Sequence, residues 1–284
     1  VQKGLELSNL AIVDIEQNTA YTLNVQQVIR SDHEEETILD LSIKQIDAEI
    51  NSFTSLGVRY IACDCFYSKK KFVDALMQRN LHIIGKLRRD ANLKFLFEGN
   101  QEKKKGRPKR FDGKVNVSDL SRFSFLGELE NGVQIFEKVL HHVSLNRRVK
   151  AVCLKKGNTC KLFFSSDFEL DGKQLIAFYR LRFQIEFLFR DAKQHLGLTH
   201  CQARDKQSLN FHFNANFSLL NILKAEHHLE KANEGASFSL TSIKRQYSNT
   251  LLLNLFISKS DLNLSLEKIK PIIEELRNFG VIVA

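Results

Sequence analysis

Alternation of apolar and polar residues divides the first ninety positions into strands and helices. Residues 9–15 and 20–26 alternate with a period of two around a polar turn, which predicts a β-hairpin. Apolar residues then recur with helical spacing over 37–56, and Gly57 stands where a helix ends. A strand, a basic helix and a second strand are predicted next, at 58–65, 68–79 and 81–87. This order of elements predicts an α/β sheet.

The pattern changes near residue 88. Residues 88–118 are polar and basic, and short apolar runs follow, each bounded by turn residues such as Asn131-Gly132. They predict strands at 124–129, 133–143, 150–154 and 160–164. Because helical periodicity resumes at Asp171, we interpret 88–170 as a β-rich block inserted into a larger domain.

The remainder of the chain is predicted to be helical. A long helix is expected over 172–195, with Asp171 as its N-cap and Gly197 just beyond its end. Three further helical stretches are expected at 206–230, 239–257 and 265–279.

Composition narrows the class of protein. The chain is 43% apolar and 26% charged, as in soluble globular proteins, and no apolar run is long enough to span a bilayer. A net charge of +9 favours a polyanionic partner. The five cysteines include no C-x-x-C pair, so we expect no structural zinc and reduced thiols in a cytoplasm.

Four polar residues stand out on the predicted 172–195 helix. Tyr179, Arg182, Glu186 and Lys193 fall within a stripe about 60° wide on an otherwise apolar and therefore buried helix. Ionisable groups on such a helix need a metal ion, a phosphate or each other as partners. A single glutamate is ordinarily just solvated, but this spacing arises by chance only about once in ten thousand glutamates.

The pattern Tyr179-x2-Arg182-x3-Glu186-x6-Lys193 resembles the signature of the insertion sequence 4 family of DDE transposases. The resemblance implies an α/β, ribonuclease H-like catalytic core, a mixed sheet flanked by helices, with a β-rich insertion before the last catalytic helix. It also implies that Glu186 is the last of three metal-binding carboxylates. Asp64, in the run Cys-Asp-Cys-Phe-Tyr-Ser-Lys-Lys, resembles the family's second, strand-end aspartate. The plain alternative for Asp64 is a helix cap.

The resemblance extends to about residue 230 and organises the chain into four segments. These are the first part of the core at 1–87, the basic arm and β-rich insertion at 88–170, the second part of the core at 171–232 and a helical tail at 233–284. This fold opens with three strands, the first bearing the first catalytic aspartate, whereas only two precede the first helix here. We therefore expect strand one upstream of Val1. Asp14 is the alternative, although it lies in the middle of what reads as strand two.

The implied chemistry is cleavage and transfer of phosphodiester bonds with two divalent cations, Mg2+ or Mn2+, about 3.5–4 Å apart. Asp64 and Glu186 would be metal ligands. Arg182 would orient Glu186 or hold a phosphate, Lys193 would contact flanking DNA, and Tyr179 would touch DNA near the cleaved phosphate.

DNA, as transposon ends and as target, is the partner implied, with a homodimer expected in the synaptic complex and a cytoplasmic, nucleoid-associated location. Lys69, Lys70 and Lys71 would line the DNA path. A basic arm comprises Lys103, Lys104, Lys105, Arg107, Lys109 and Arg110. Its Gly-Arg-Pro core is similar to minor-groove hooks, and the alternative is a solvated loop contacting phosphates without sequence preference.

Two functional hypotheses stay open at this stage. The chain is either an active transposase or a truncated, catalytically inactive DNA-binding remnant of one. A plain ribonuclease H-like nuclease is disfavoured by the spacing of the four signature residues and by the large insertion.

Overall fold

The computed structural model describes residues 5–28, 36–100, 107–129, 132–231, 238–260 and 269–281. The chain forms two compact units, residues 1–185 and 186–284. The described strands all belong to the first unit, and the second unit is helical.

The first unit begins with an antiparallel hairpin, as the alternation predicted. Its strands are β1 (Leu7–Asp14) and β2 (Thr19–Gln27). The turn is closed by Asp14, whose Oδ1 accepts a hydrogen bond from the Gln17 amide at 2.9 Å. Asn18 adopts a positive φ of 49°, a conformation that asparagine tolerates better than most residues.

A helical segment packs on this hairpin. The 37–56 helix predicted from the sequence is interrupted at Glu49, giving α1 (Ile38–Ala48) and α2 (Ile50–Ser55). Thr37 caps α1 through a reciprocal capping box with Asp40. Gln45 of α1 joins the helix to the hairpin, because its amide donates to the Asn24 carbonyl at 3.1 Å and its Oε1 accepts from the Ser8 hydroxyl at 2.7 Å.

The main sheet has eight strands in the order β3-β4-β10-β9-β8-β5-β6, with β7 also paired to β8. It is mixed, because β3 runs parallel to β4 whereas the other neighbours are antiparallel. The strands are β3 (Tyr60–Cys63), β4 (His82–Leu87), β5 (Leu93–Leu96), β6 (Phe111–Lys114), β7 (Ser124–Leu129), β8 (Val133–His142), β9 (Arg147–Lys156) and β10 (Thr159–Ser165).

Two features of this sheet differ from the sequence prediction. Strands β5 and β6 lie inside 88–118, a polar and basic stretch in which no strand was identified from the sequence. Strand β10 pairs with β4, so strands from both sides of residue 88 belong to one sheet. The division into segments 1–87 and 88–170 stays a prediction. Among the described residues, β3 has β4 as its one strand neighbour, and β1–β2 form a separate two-stranded sheet.

Helices cover both faces of the main sheet. Neighbouring residues of β4 point to opposite sides, and Ile83 packs in the cluster that contains α1, α2 and α3 (Lys70–Gln78). Ile84 packs on the other side, with Leu175 and Ile176 of α4 (Gly172–Leu181). The first unit is therefore a sheet between two helical layers.

The single helix predicted over 172–195 is wrong. Helix α4 ends at Leu181, and α5 (Gln184–His195) begins three residues later. The amides of Arg182 and Phe183 bond to carbonyls three residues back, at 3.2 and 3.1 Å, in place of the α-helical partners four residues back. No glycine or proline marks the interruption, which is why the periodicity ran through it.

The second unit contains the other predicted helices. They are α6 (Lys206–Lys231), α7 (Leu240–Lys259) and α8 (Ile269–Arg277). Its core joins α5 to α6, where Phe189 and Phe217 meet edge to face with centroids 5.3 Å apart. None of the helices in the described part of the chain is both long and apolar enough to cross a bilayer.

The cysteines differ from expectation at one pair. Cys153 of β9 and Cys160 of β10 are joined as a disulfide, with Cα atoms 6.1 Å apart. Strand pairing brings them together, because Cys153 lies opposite Leu162 and Cys160 opposite Lys155. The other three cysteines, Cys63, Cys65 and Cys201, are free thiols, as predicted.

Candidate active site

Asp64 is the first residue after β3, at the carboxyl end of that strand, as the sequence predicted. Its side chain is exposed, and Oδ1 accepts a hydrogen bond from the Cys65 amide at 2.6 Å. This bond begins the short 3-10 turn Cys65–Tyr67, so Asp64 also has the capping role considered as its alternative. A carboxylate at a strand end of an α/β sheet is a common position for reactive groups.

The turn after Asp64 is held tightly against β4. Ser68 donates to the Lys86 carbonyl at 3.1 Å, and its Oγ would lie 3.2 Å from a Cβ on Gly85. The same Cβ would come within 2.8 Å of Phe164, so only glycine fits at position 85 without displacing its neighbours. Gly85 therefore allows the segment that carries Asp64 to approach β4 closely.

Tyr179 and Arg182 lie in the same unit, at the end of α4. The Tyr179 ring packs on Phe163 of β10 with centroids 4.7 Å apart, and the Arg182 guanidinium lies 5.8 Å from the Tyr179 ring centroid. Burial raises the pKa of Tyr179, Arg182 lowers it and Asp64 raises it again.

Cys63 is influenced by the same charges. Burial raises the pKa of its thiol to about 12, Arg182 lowers it and Asp64 raises it. The charges of Asp64 and Arg182 therefore act on the pKa of Tyr179 and on that of Cys63. Asp64 therefore lies within electrostatic range of Tyr179, although more than a hundred positions separate the two in the chain.

Glu186 and Lys193 belong to the second unit, on α5. Glu186 is exposed in the first turn of the helix, where a carboxylate is favoured by the helix dipole. Lys193 is exposed in the last turn, with Nζ 5.9 Å from the Phe189 ring centroid. Seven residues place them about 10 Å apart along the axis. The 60° stripe was calculated for one continuous helix. Because the helix is broken after Leu181, the stripe does not describe how Tyr179 is placed relative to Glu186 and Lys193.

The burial expected for this region is only partly present. Leu175 and Ile176 of α4 and Leu188 and Ala192 of α5 are buried, whereas Phe183 between them is 49% exposed. The apolar residues around the break therefore do not form a uniformly buried stretch.

The carboxylates fit a hard divalent cation by type. Mg2+ and Mn2+ prefer oxygen ligands, and Asp64 and Glu186 both present exposed carboxylates. Within the part of the chain that the structure describes, no three His, Cys, Asp or Glu side chains form a ready metal cluster. Asp14 ends β1 and is exposed, so its predicted position in the middle of a strand is wrong.

The lysines after Asp64 are in different environments. Lys69 is exposed, with Nζ 4.3 Å from the ring centroid of Phe66, a partly exposed residue of the turn that follows Asp64. Lys70 forms an ion pair with Asp74, and Lys71 forms one with Asp40. Lys69 is thus the member of the three whose charge is not matched by a carboxylate among the described residues.

The described part of the basic arm, 107–110, directly precedes β6. Lys103, Lys104 and Lys105 lie outside the described residues, whereas Arg107, Lys109 and Arg110 are exposed. Lys109 is bound to Asp112 at 2.9 Å, and its Nζ lies 4.8 Å from the Phe97 ring centroid. Strand β6 forms one end of the main sheet and β3 forms the other.

Sequence reasoning missed two groups of residues. Glu137 of β8 contacts the start of α4, and Lys150 of β9 is bound to Glu137. A set of cations on β5, β6, β8 and β9 faces one side of the sheet. Neither group has a signal in the linear sequence, because both depend on which strands are neighbours.

A mixed sheet with helices packed on both faces makes the first unit an α/β fold, with Asp64 at the carboxyl end of the edge strand β3. Residues 11–222 of the 284 match the family model described as Transposase DDE domain. The match covers well over half of the chain, so the chain belongs to this family. Membership implies nuclease and strand-transferase activity, and DDE transposases generally use divalent metal ions. No match is found among curated proteins.

Proposed function

We propose that this chain is the catalytic core of a cut-and-paste DNA transposase of the insertion sequence 4 family, with a ribonuclease H-like arrangement. The observation that carries the proposal is that the charges of Asp64 and Arg182 both act on the phenol of Tyr179, in a chain of the Transposase DDE domain family. The signature spacing through Glu186 and Lys193 adds support.

Asp64 and Glu186 hold the divalent cations in this proposal. When bound, two such ions activate the attacking oxygen and stabilise the leaving one. We propose that the third carboxylate is carried by a strand that pairs with β3 at its second edge, and Asp14 is the alternative. The chain's own cations and hydroxyls then bind and orient the DNA.

The side chains beside Asp64 have distinct parts. Burial raises the pKa of Tyr179, so its phenol stays protonated near neutral pH and donates a hydrogen bond to a phosphate oxygen. Arg182 contributes planar N–H donors matched to a phosphate. Lys69, five residues after Asp64 in the chain, lines the DNA path in this proposal. Lys193 contacts DNA farther along α5.

Two transposon ends have to be held together, so we propose that two copies of the chain associate. The support is an apolar face on α7, where Leu251, Leu252, Leu255 and Phe256 are between 52% and 70% exposed. These four residues span about 140° of the helix circumference. Asn249, at one edge of this span, donates its amide to the Arg277 carbonyl of α8 at 2.9 Å. A contiguous exposed apolar face is typical of a protein interface.

The test is cleavage of duplex DNA bearing the transposon ends, in Mg2+. Glu186→Gln and Asp64→Asn should each lower the cleavage rate by at least about 10²–10³-fold, the scale of losing one group that stabilises transition-state charge. Both variants should retain DNA binding. Glu128→Gln, which removes an exposed carboxylate from β7, is the matched control and should cut normally.

Two outcomes separate the candidate functions. Cleavage by Glu186→Gln at the wild-type rate, or cleavage in excess EDTA, would contradict the assignment of the metal ligands. A wild-type chain that binds the ends but never cuts them would favour the second candidate, an inactive DNA-binding remnant, for which the unfilled edge of β3 is the supporting observation among the described strands.

A further inference from the structure

Four basic side chains stand directly opposite one another across four adjacent strands. Lys114 of β6 faces Lys94 of β5, and Lys94 also faces His141 of β8. His141 in turn faces Arg148 of β9. Because directly opposed residues project from the same face of a sheet, these four form one line, called here the cation row.

The cation row lies on the face that turns away from the larger core cluster. Side chains alternate along a strand, and the neighbours Leu93, Leu140 and Val149 are buried in that cluster. Lys114 and Arg148 are exposed, while Lys94 and His141 are half-buried. The ends of the row are therefore open to solvent.

Nearby carboxylates do not neutralise the row. Among the described residues, no ion pair involves Lys94, Lys114 or Arg148. Asp112, next to the row on β6, is bound to Lys109 and Arg122. Like charges directly opposite each other destabilise a sheet. The directly opposed pair Lys94 and Lys114 therefore costs the folded chain stability, and a bound polyanion would offset that cost.

Electrostatics at His141 show the same concentration of positive charge. Burial lowers the pKa of His141, and the charges of Lys94 and Arg110 lower it further. The imidazole is accordingly neutral near pH 7 and acts as a hydrogen-bonding group between two cations. Arg110 connects the row to the basic arm, because it directly precedes β6.

Aromatic rings fix the positions of these side chains. The Phe111 ring packs on His141 with centroids 4.5 Å apart and an interplanar angle of 33°, and the Lys94 Nζ lies 5.3 Å from the Phe111 centroid. The Arg148 guanidinium lies 5.1 Å from the centroid of Phe168. Cations held over rings lose less side-chain entropy on binding a ligand, because their positions are already restricted.

We propose that the cation row binds the sugar-phosphate backbone of DNA, an inference that rests on the proposed function. Its four members span three strand spacings, about 14 Å at roughly 4.8 Å each. Phosphates on one strand of duplex DNA advance about 3.4 Å per nucleotide along the axis. The row therefore covers about four nucleotide steps along the duplex axis.

The position of the row assigns it to DNA outside the cleaved bond. Strands β4 and β10 lie between β3, which ends next to Asp64, and β9, where the row begins. Three strand spacings give about 14 Å across the sheet, and the register puts Arg148 four residues, about 13 Å, along the strands from the level of Asp64. The two residues are therefore about 19 Å apart, or roughly six base pairs. The row thus holds flanking duplex and leaves the scissile phosphate to Asp64 and its neighbours.

The test measures binding alone, so that it does not depend on cleavage. The triple variant Lys94→Gln, Lys114→Gln and Arg148→Gln is compared with the full wild-type chain for affinity to a transposon-end duplex in EDTA over a range of salt. The log–log salt slope should fall by about 2.7, from three contacts at roughly 0.9 each. Replacing Lys156, Lys161 and Lys173 with Gln removes three exposed cations from other parts of the unit and should change the slope far less.

A melting curve separates lost contacts from lost structure. Relief of like-charge repulsion should leave the triple variant as stable as the wild type or more stable at low salt. If the triple variant unfolds, Arg148→Gln alone, at an exposed position, should still lower the slope by about 0.9. An unchanged slope, or an equal fall in the control variant, would overturn the cation row and leave the proposed function intact. A wild-type chain that does not bind duplex DNA would overturn both.

Discussion

Glu137 of β8 accepts a hydrogen bond from the amide of Gly172, the first residue of α4, at 3.0 Å. Its other carboxylate oxygen lies 3.3 Å from Nζ of the buried Lys150. Asp171 accepts from the next two amides, so carboxylates satisfy the first three N–H groups of α4. Since the far end of α4 carries Tyr179 and Arg182, Glu137 helps to position the groups beside Asp64.

Gly172→Ala should disrupt this anchor. A Cβ at position 172 would lie 2.6 Å from Glu137 Oε2 and 2.7 Å from Leu126 Cδ1, so the carboxylate or the helix has to move. We expect a loss of about 1–3 kcal/mol in the free energy of unfolding, the usual range for overpacking, together with slower DNA cleavage. Urea unfolding followed by circular dichroism measures the first effect.

Gln174→Ala is the control, since it changes an exposed side chain in the same turn without filling space. An alanine at position 172 that leaves both stability and cleavage at wild-type values would mean that α4 is not held by the Glu137 contact.

The basic arm gives a second prediction. Arg107 and Arg110 are exposed and make no ion pair with a carboxylate among the described residues, whereas Lys109 is bound to Asp112. Arg107→Gln with Arg110→Gln should lower the log–log salt slope of DNA binding by about 1.8, and replacing all six arm cations should lower it by at most about 5. Lys109→Gln alone should have the smallest effect. Equal effects of all three described cations would show that the Asp112 pair opens on binding.

A buried lysine predicts how the second unit responds to pH. Burial lowers the pKa of Lys224 to about 8, while Asp191 raises it and Arg190 lowers it. The folded pKa lies below the unfolded value of 10.5, so the unfolded chain binds the proton more tightly and stability rises with pH above about 8. Between pH 7.5 and 9 the gain should be about 1 kcal/mol.

Lys224→Met should remove this gain and stabilise the unit below pH 8. The raised pKa of Cys63 acts in the opposite direction above pH 9, so the difference between wild type and variant is the quantity to follow. Unfolding curves at the two pH values measure it. A variant that keeps the full pH dependence would assign it to other groups.

The sequence predicted what depends on local chemistry. The β-hairpin at 9–26 and the position of Asp64 after a strand follow from residues close together in the chain. The family resemblance added the spacing of Tyr179, Arg182, Glu186 and Lys193, which helix propensity alone does not account for. The break after Leu181 was missed, because Leu, Arg and Phe are all compatible with a helix and hydrogen bonding alone reveals the shortened turns.

Long-range strand order accounts for the other differences. The sequence around Lys94 and Arg148 does not indicate that β5 and β9 both pair with β8. The cation row therefore could not be predicted from the sequence. The same holds for the bond between Cys153 and Cys160, which are brought together by one antiparallel register. Registers of this kind are set by the packing of a whole sheet and not by any one segment.

The apolar face of α7 supports a final prediction, that the chain self-associates through it. Leu251→Ser with Leu255→Ser replaces two side chains that are 70% and 52% exposed, so the fold of the second unit should persist. Each leucine buried against a second copy would contribute about 1.5–3 kcal/mol, so the dimer Kd should rise at least tenfold. Sedimentation velocity over a concentration series measures it. Leu229→Ser, at an 83% exposed position on α6, is the control. Identical sedimentation of the wild type and the double variant would assign the α7 face another occupant.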